Sequence, residues 1–193
     1  MRKARIRGIS QPHSGTGEPG MLIADLALPE FEEEMAFTHR ILESVPAGRL
    51  NWKPHPKSMS LGRLAMHVAE LPKWASDAFT LDEVDIGPVD APSQVAGVNF
   101  AKDAILDRFL KHSQAARAAL IASTDEKFAE HWTLRAGNRV LWTKSRFAVY
   151  RSALNHLVHH RGQLSVYLRL NDVPVFGAYG PSADDLESAT RAD

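Results

Sequence analysis

Three of the nine histidines fall within five residues, in Asn155-His156-Leu157-Val158-His159-His160-Arg161-Gly162-Gln163, and this is where chemistry is first legible. If the segment is helical, His156 and His160 stack on one face about 6 Å apart along the axis, a separation at which two imidazoles share one metal ion. His159, three residues after His156, competes with His160 for that position. A pair on one helix offers only two ligands, so a third must come from another element. His67, set among apolar neighbours in Leu61-Gly62-Arg63-Leu64-Ala65-Met66-His67-Val68-Ala69-Glu70, supplies it. His67, His156 and His160 are therefore the candidate ligands of one divalent transition metal. Two ordinary readings stand against them: a lone His on an apolar helix face is commonly a hydrogen-bonded core residue, and His pairs four apart recur in helices by accident. His13, His39, His55, His112 and His131 read as surface residues.

Three neutral imidazoles leave coordination positions open to water or a thiol, the arrangement of a catalytic rather than a closed structural metal. A cation so held polarises bound oxygen and lowers the pKa of a coordinated water or thiol toward neutrality. The chain has no cysteine, so disulfides, thiolate ligands and a cysteine nucleophile are excluded, and any thiol is borrowed from solution. Glu70 and Trp74 follow His67 at helical spacing and are placed to line a cavity, as are Gln163 and Tyr167 after the histidine pair. Glu70 reads as a second-shell acceptor or general base, or, more plainly, as an ion-paired surface residue. Arg161 suits a substrate carboxylate or an acidic residue of the first helix, while Trp52 and Trp74 suit packing. No catalytic residue is assigned.

Four helices are needed to position these groups. Phe31, Met35, Thr38, Leu42 and Val45 recur at three or four, predicting a helix from Pro29 to near Gly48. The prolines of Asn51-Trp52-Lys53-Pro54-His55-Pro56 make a connector. Ser58 or Ser60 caps a second helix running to about residue 80, with a kink at Pro72. A long connection follows from Asp82 to Gly97, then a third helix from Phe100 to about Ser123. Trp132 to Trp142, around Ala136-Gly137-Asn138-Arg139, suit a short hairpin or an irregular turn. The fourth and longest helix runs from Lys144 to Asn171. The fold class is all-α, a four-helix bundle with long crossover connections and a short β-hairpin near 131–142.

The 193 residues suit one domain, read as 21–185, with a disordered arm at 1–20 and a flexible tail at 186–193. The 23 basic and 23 acidic residues cancel, giving no sign of a nucleic-acid or anionic-membrane partner. The basic start, Met1 to Arg7, leads into Gly, Ser and Pro rather than an apolar stretch, so it does not read as a signal peptide, and the expected compartment is the cytoplasm.

Taken together, His67 in LGRLAMHVAELPKW and the run NHLVHHRGQLSVYLRLNDVPVFGAYGPSADD resemble the DinB-like (YfiT-like) family of metal-binding four-helix proteins, over roughly residues 30–185. The Trp52 and Pro54 connector and the trailing Tyr179-Gly180-Pro181 belong to the same likeness. The resemblance implies that the mid-helix-two His and the two His four apart bind nickel, zinc or another divalent metal, iron, manganese and copper being alternatives, with water completing the shell. It also implies a homodimer and a small-molecule substrate. Its relatives include S-transferases and isomerases that use low-molecular-weight thiols such as bacillithiol, mycothiol or glutathione. The expected function is thus a metal-dependent thiol S-transferase; the alternatives are a metal-dependent hydrolase and a non-catalytic metal-binding or stress-related module.

Overall fold

The computed structural model describes residues 22–88 and 100–191. The expected N-terminal arm and much of the long connection after Asp82 lie outside the described residues. Helix α1 (Ile23–Glu43) starts six residues before Pro29, the expected first residue, and takes that proline inside. The early start is stabilised by two carboxylates at otherwise unpaired amides: Asp25 accepts from Leu22 N at 3.2 Å, and the distant Asp125 accepts from Ile23 N at 2.8 Å. After α1 a 3-10 turn (Ala47–Arg49) leads into the Trp52 connector.

Helix α2 (Leu61–Glu70) is capped by Ser60, whose hydroxyl accepts from Arg63 N at 3.3 Å. The expected kink is a break. Pro72 has no N–H to give, Leu71 N turns to the Val68 carbonyl at 3.4 Å, and α3 (Pro72–Thr80) begins with the proline in its first position. Strand β1 (Glu83–Asp85) was not foreseen. Helix α4 (Lys102–Ile121) matches the third predicted helix and is followed by a short α5 (Asp125–Ala129).

The hairpin is present as β2 (His131–Ala136) and β3 (Arg139–Ser145), turning at Gly137, whose φ of 58° a glycine adopts without strain. β1 adds to β2 in parallel, making a three-stranded sheet in the order β1-β2-β3. Leu134 lies opposite Trp142, with a bulge immediately after Leu134. Helix α6 (Arg146–Arg169), capped by Ser145, is the longest at 24 residues, and α7 (Ala183–Thr190) runs past residue 185, where the sequence reading ends the domain.

Helices α1, α2 with α3, α4 and α6 form the bundle, closed over a continuous core that includes Phe31, Leu42, Leu64, Val68, Phe109, Leu120, Tyr150, Leu157 and Leu164. Two buried arginines join its parts. Arg146, the first residue of α6, donates to the Ala78 carbonyl at 2.8 Å and to the Leu81 carbonyl, and pairs with Asp82 at 2.6 Å and Glu130 at 3.0 Å. It thereby ties the end of α3, the start of the sheet and α5 to one point. Arg161 pairs with Glu34 of α1 at 2.6 Å, donates to the Glu34 carbonyl at 3.1 Å and Thr38 Oγ1 at 3.2 Å, and donates to Tyr179 Oη at 2.6 Å. Tyr179 in turn donates to Glu34 Oε1 at 2.6 Å, so the C-terminal segment returns onto the bundle through its hydroxyl. Of the two roles open to Arg161 in the sequence, the pairing with an acidic residue of the first helix is the one found.

Removing one member of a buried ion pair strands the other without water. Arg161→Ala is therefore expected to lower unfolding free energy by about 3–5 kcal/mol, measured by urea denaturation. The Glu34→Leu/Arg161→Met double variant is expected to recover most of that loss, since no buried charge then remains.

Candidate metal centre

Each sequence-derived ligand sits on a different part of the bundle wall: His67 in the last turn of α2, His156 and His160 on consecutive turns in the middle of α6. The helices meet so that the rings converge. His156 Nε2 lies 2.9 Å from His160 Nε2 and 3.4 Å from His67 Nε2. One ring nitrogen from each of the three lies within 4.8 Å of the others, the only such cluster of His and carboxylate groups among the described residues. An ion about 2.0–2.1 Å from each nitrogen would set neighbouring donors about 2.9 Å apart at right angles and about 3.4 Å apart at tetrahedral angles. The donor set fits a first-row divalent cation on both chemistry and spacing. His156 is exposed while His67 and His160 are half-buried, so the centre opens to solvent on one side.

His159 stands outside this cluster. Its ring is exposed and its Nε2 takes the amide of Gln163 at 3.1 Å, while the Gln163 carbonyl lies 2.7 Å from His160 Nδ1. With that carbonyl accepting, His160 carries its proton on Nδ1 and presents a bare lone pair at Nε2, toward the other two rings. Burial lowers the pKa of His67 from 6.5 to about 4, reinforced by His160, His156 and Arg63. Burial also lowers that of His156, reinforced by His160 and His159. Both rings are thus neutral near pH 7, the state in which imidazole donates a lone pair.

The flanking residues divide. Glu70 pairs with Arg108 of α4 at 3.2 Å, because three residues along the helix leave it about 60° short of the His67 direction. Tyr167 turns to the connector, its ring edge-on to Trp52 and its hydroxyl donating to the Met59 carbonyl at 3.4 Å. Gln163 and Trp74 do face the site. Of the histidines read as surface residues, His55 and His131 are exposed, His13 lies outside the described residues, and His39 and His112 are half-buried. The Nδ1 of His112 is enclosed without a hydrogen-bond partner among the described residues, because α4 packs this face against α2 and α3.

A cavity of about 300 Å³ adjoins His67 and His156. Its far walls are Trp74, Leu134, Trp142 and Val149, with Ser152 and Ala153 along α6. The hairpin's part in it is not legible in the sequence, since the register that sets Leu134 opposite Trp142 brings both strands to the histidines. A larger open groove of about 780 Å³ lies between the start of α1, α5 and the start of α6 and is lined by none of the three histidines.

Comparison with known proteins agrees with this architecture. An uncharacterized protein of Bacillus subtilis (strain 168), YrdA, is 24% identical over 161 residues, 83% of this chain and 90% of that protein. The crystal structure of a DinB-like protein from Bacillus cereus superposes with a TM-score of 0.63 at 23% identity, covering 82% of this chain and 98% of that one. A DinB-like protein of Bacillus subtilis gives a TM-score of 0.58 at 17% identity, covering 77% and 95%. These likenesses bear on the fold. The model of the DinB family matches residues 21–192, and with nearly the whole helical bundle inside that match, the chain belongs to the DinB family.

Proposed function

We propose that His67, His156 and His160 hold one divalent transition metal, and that the protein is an enzyme transferring a low-molecular-weight thiol to a small electrophile at that ion. The observation that supports this most is the convergence of three imidazole nitrogens, at separations suited to one cation, beside a partly open apolar cavity. Nickel or zinc is the metal that the family resemblance implies, with copper, iron and manganese as alternatives; an all-imidazole donor set accepts zinc, copper, iron and nickel. Such a cation supplies Lewis acidity, lowering the pKa of a coordinated thiol or water toward neutrality. The chain's own residues do the rest: His67 and His156 stay neutral, Gln163 holds the tautomer of His160, and Trp74 and Trp142 set an apolar wall beside the cluster. With no cysteine in the chain, the thiol comes from solution.

Hydrolysis is the enzymatic alternative, since water competes for the same open positions. The engagement of Glu70 by Arg108 favours one further reading, a metal-binding module without turnover, because it takes the nearest expected acid or base away from the cluster. We place the protein in the cytoplasm, the compartment expected from its sequence, and, in keeping with its family resemblance, as a homodimer; no helix among the described residues is long and apolar enough to cross a membrane.

Elemental analysis of untagged protein is expected to find about one equivalent of metal in the wild type and little in His156→Ala/His160→Ala. Turnover of an electrophile with a physiological thiol that disappears in His67→Ala would establish the enzyme; metal without turnover of any thiol or water reaction would leave the module. Gln163→Leu is expected to weaken metal affinity about 10- to 100-fold in a chelator competition, with unchanged stoichiometry at saturation.

The metal-free protein is expected to lose stability on acidification. The unfolded His67 ring takes up a proton near pH 6.5 while the folded ring resists it to about 4, so its contribution is complete above 6.5 and lost as pH falls through that window. Urea midpoints at neutral and mildly acidic pH should diverge in the wild type and less so in His67→Asn.

A further inference from the structure

The cavity beside His67 and His156 carries more information than its position. We propose that it seats a compact, uncharged aromatic group of the electrophilic substrate, its size set by Trp74 of α3 and by Leu134 and Trp142 of the hairpin. This deepens the thiol-transfer reading and rests on it for the chemistry, though not for the binding.

Three observations support the assignment. At about 300 Å³ the cavity is at the small end of ligand pockets, enough for one ring and a short substituent. Its lining holds no Lys, Arg, Asp or Glu, and beyond the two imidazoles the only polar side chain is Ser152. A carboxylate or ammonium seated against these apolar walls would give up part of its hydration with no opposite charge in the lining to offset it, a cost that disfavours the charged ends of a peptide-like thiol. Lys144 holds its ammonium 4.8 Å from the Trp142 ring but does not line the cavity. Finally, the aromatic walls are held firmly. Trp132, fully buried and donating to the Asp77 carbonyl at 3.1 Å, packs against Trp74 with ring centres 6.2 Å apart and against Trp142 with centres 5.4 Å apart. Indole surfaces fixed on a buried third indole favour an aromatic guest, which gains ring–ring contact on top of area burial.

The test uses metal-free full-length protein, titrated with benzyl alcohol, phenylacetate and benzylamine and followed by saturation-transfer NMR. Benzyl alcohol is expected to bind about tenfold more tightly than either charged probe. Ser152→Trp, at an exposed position of α6 that lines the cavity, is expected to weaken benzyl alcohol about tenfold by filling the space. Trp142→Ala, which opens a wall without touching α6, is expected to weaken benzyl alcohol while admitting 2-naphthylmethanol. Equal binding of the three probes overturns the proposal. So does wild-type affinity in a folded Ser152→Trp or, should that variant not fold, an unchanged order of preference in Trp142→Ala. His160→Ala, at a metal-site histidine that does not line the cavity, is expected to lose metal and keep benzyl alcohol binding. Loss of metal without loss of that binding separates the pocket from the metal reading, and failure of either shows in its own measurement.

Discussion

A guanidinium taken out of water must be met by acceptors, and Arg161 is met by the Glu34 carboxylate and carbonyl, the Thr38 hydroxyl and the Tyr179 hydroxyl. These partners come from α1 and from the segment after α6, so the arginine can be satisfied only when α6 has one rotation and one height against α1. Its neighbour in sequence is His160. Consecutive residues on a helix differ by about 100°, so fixing Arg161 toward α1 turns His160, and with it His156 one turn earlier, toward α2. A different rotation of α6 would strand a buried charge, which is costlier than most packing errors. The histidine geometry is in this sense a consequence of an ion pair that takes no part in it.

The same helix is held at its other end by Arg146, which gathers the carbonyls ending α3 and the carboxylates of Asp82 and Glu130. That anchorage sets the sheet against α3 and α6. The sheet then acts as a wall: Trp132 is driven into the core, and Trp142, on the next strand, is left half-exposed above it beside the histidines. The small sheet thus sets an aromatic wall beside the histidines on the open side of the bundle.

The cluster itself stands at some cost to the fold. Desolvated imidazoles that resist protonation give up part of the solvation they had in the unfolded chain, and their nitrogens face one another rather than water. A cation bound there, as proposed, would relieve that arrangement and link metal affinity to folding stability through the same three rings. The apolar cavity adds to the effect, because low polarity beside the rings strengthens any charge interaction made there.

Sequence periodicity by itself determined the helices that are amphipathic over several turns. Helix α6, with Tyr150, Leu154, Leu157, Leu164 and Leu168 on its buried side, and a face shared by His156 and a second histidine about one turn on were readable because a 3.6-residue repeat assigns faces without knowledge of neighbours. It could not say that α1 would absorb Pro29, since the compensating cap comes from Asp125, about a hundred residues away in the chain, nor that Pro72 would divide one helix into two. Nor could it separate His160 from His159, or the acid–base role of Glu70 from its ion pair: one residue of rotation decides each, and the rotation is set by Arg161 and by the packing of α2 on α4. The hairpin walls of the cavity were decided by tertiary structure alone, because Leu134 and Trp142 meet the histidines through a strand register and a buried arginine, and neither leaves a periodic trace in the chain.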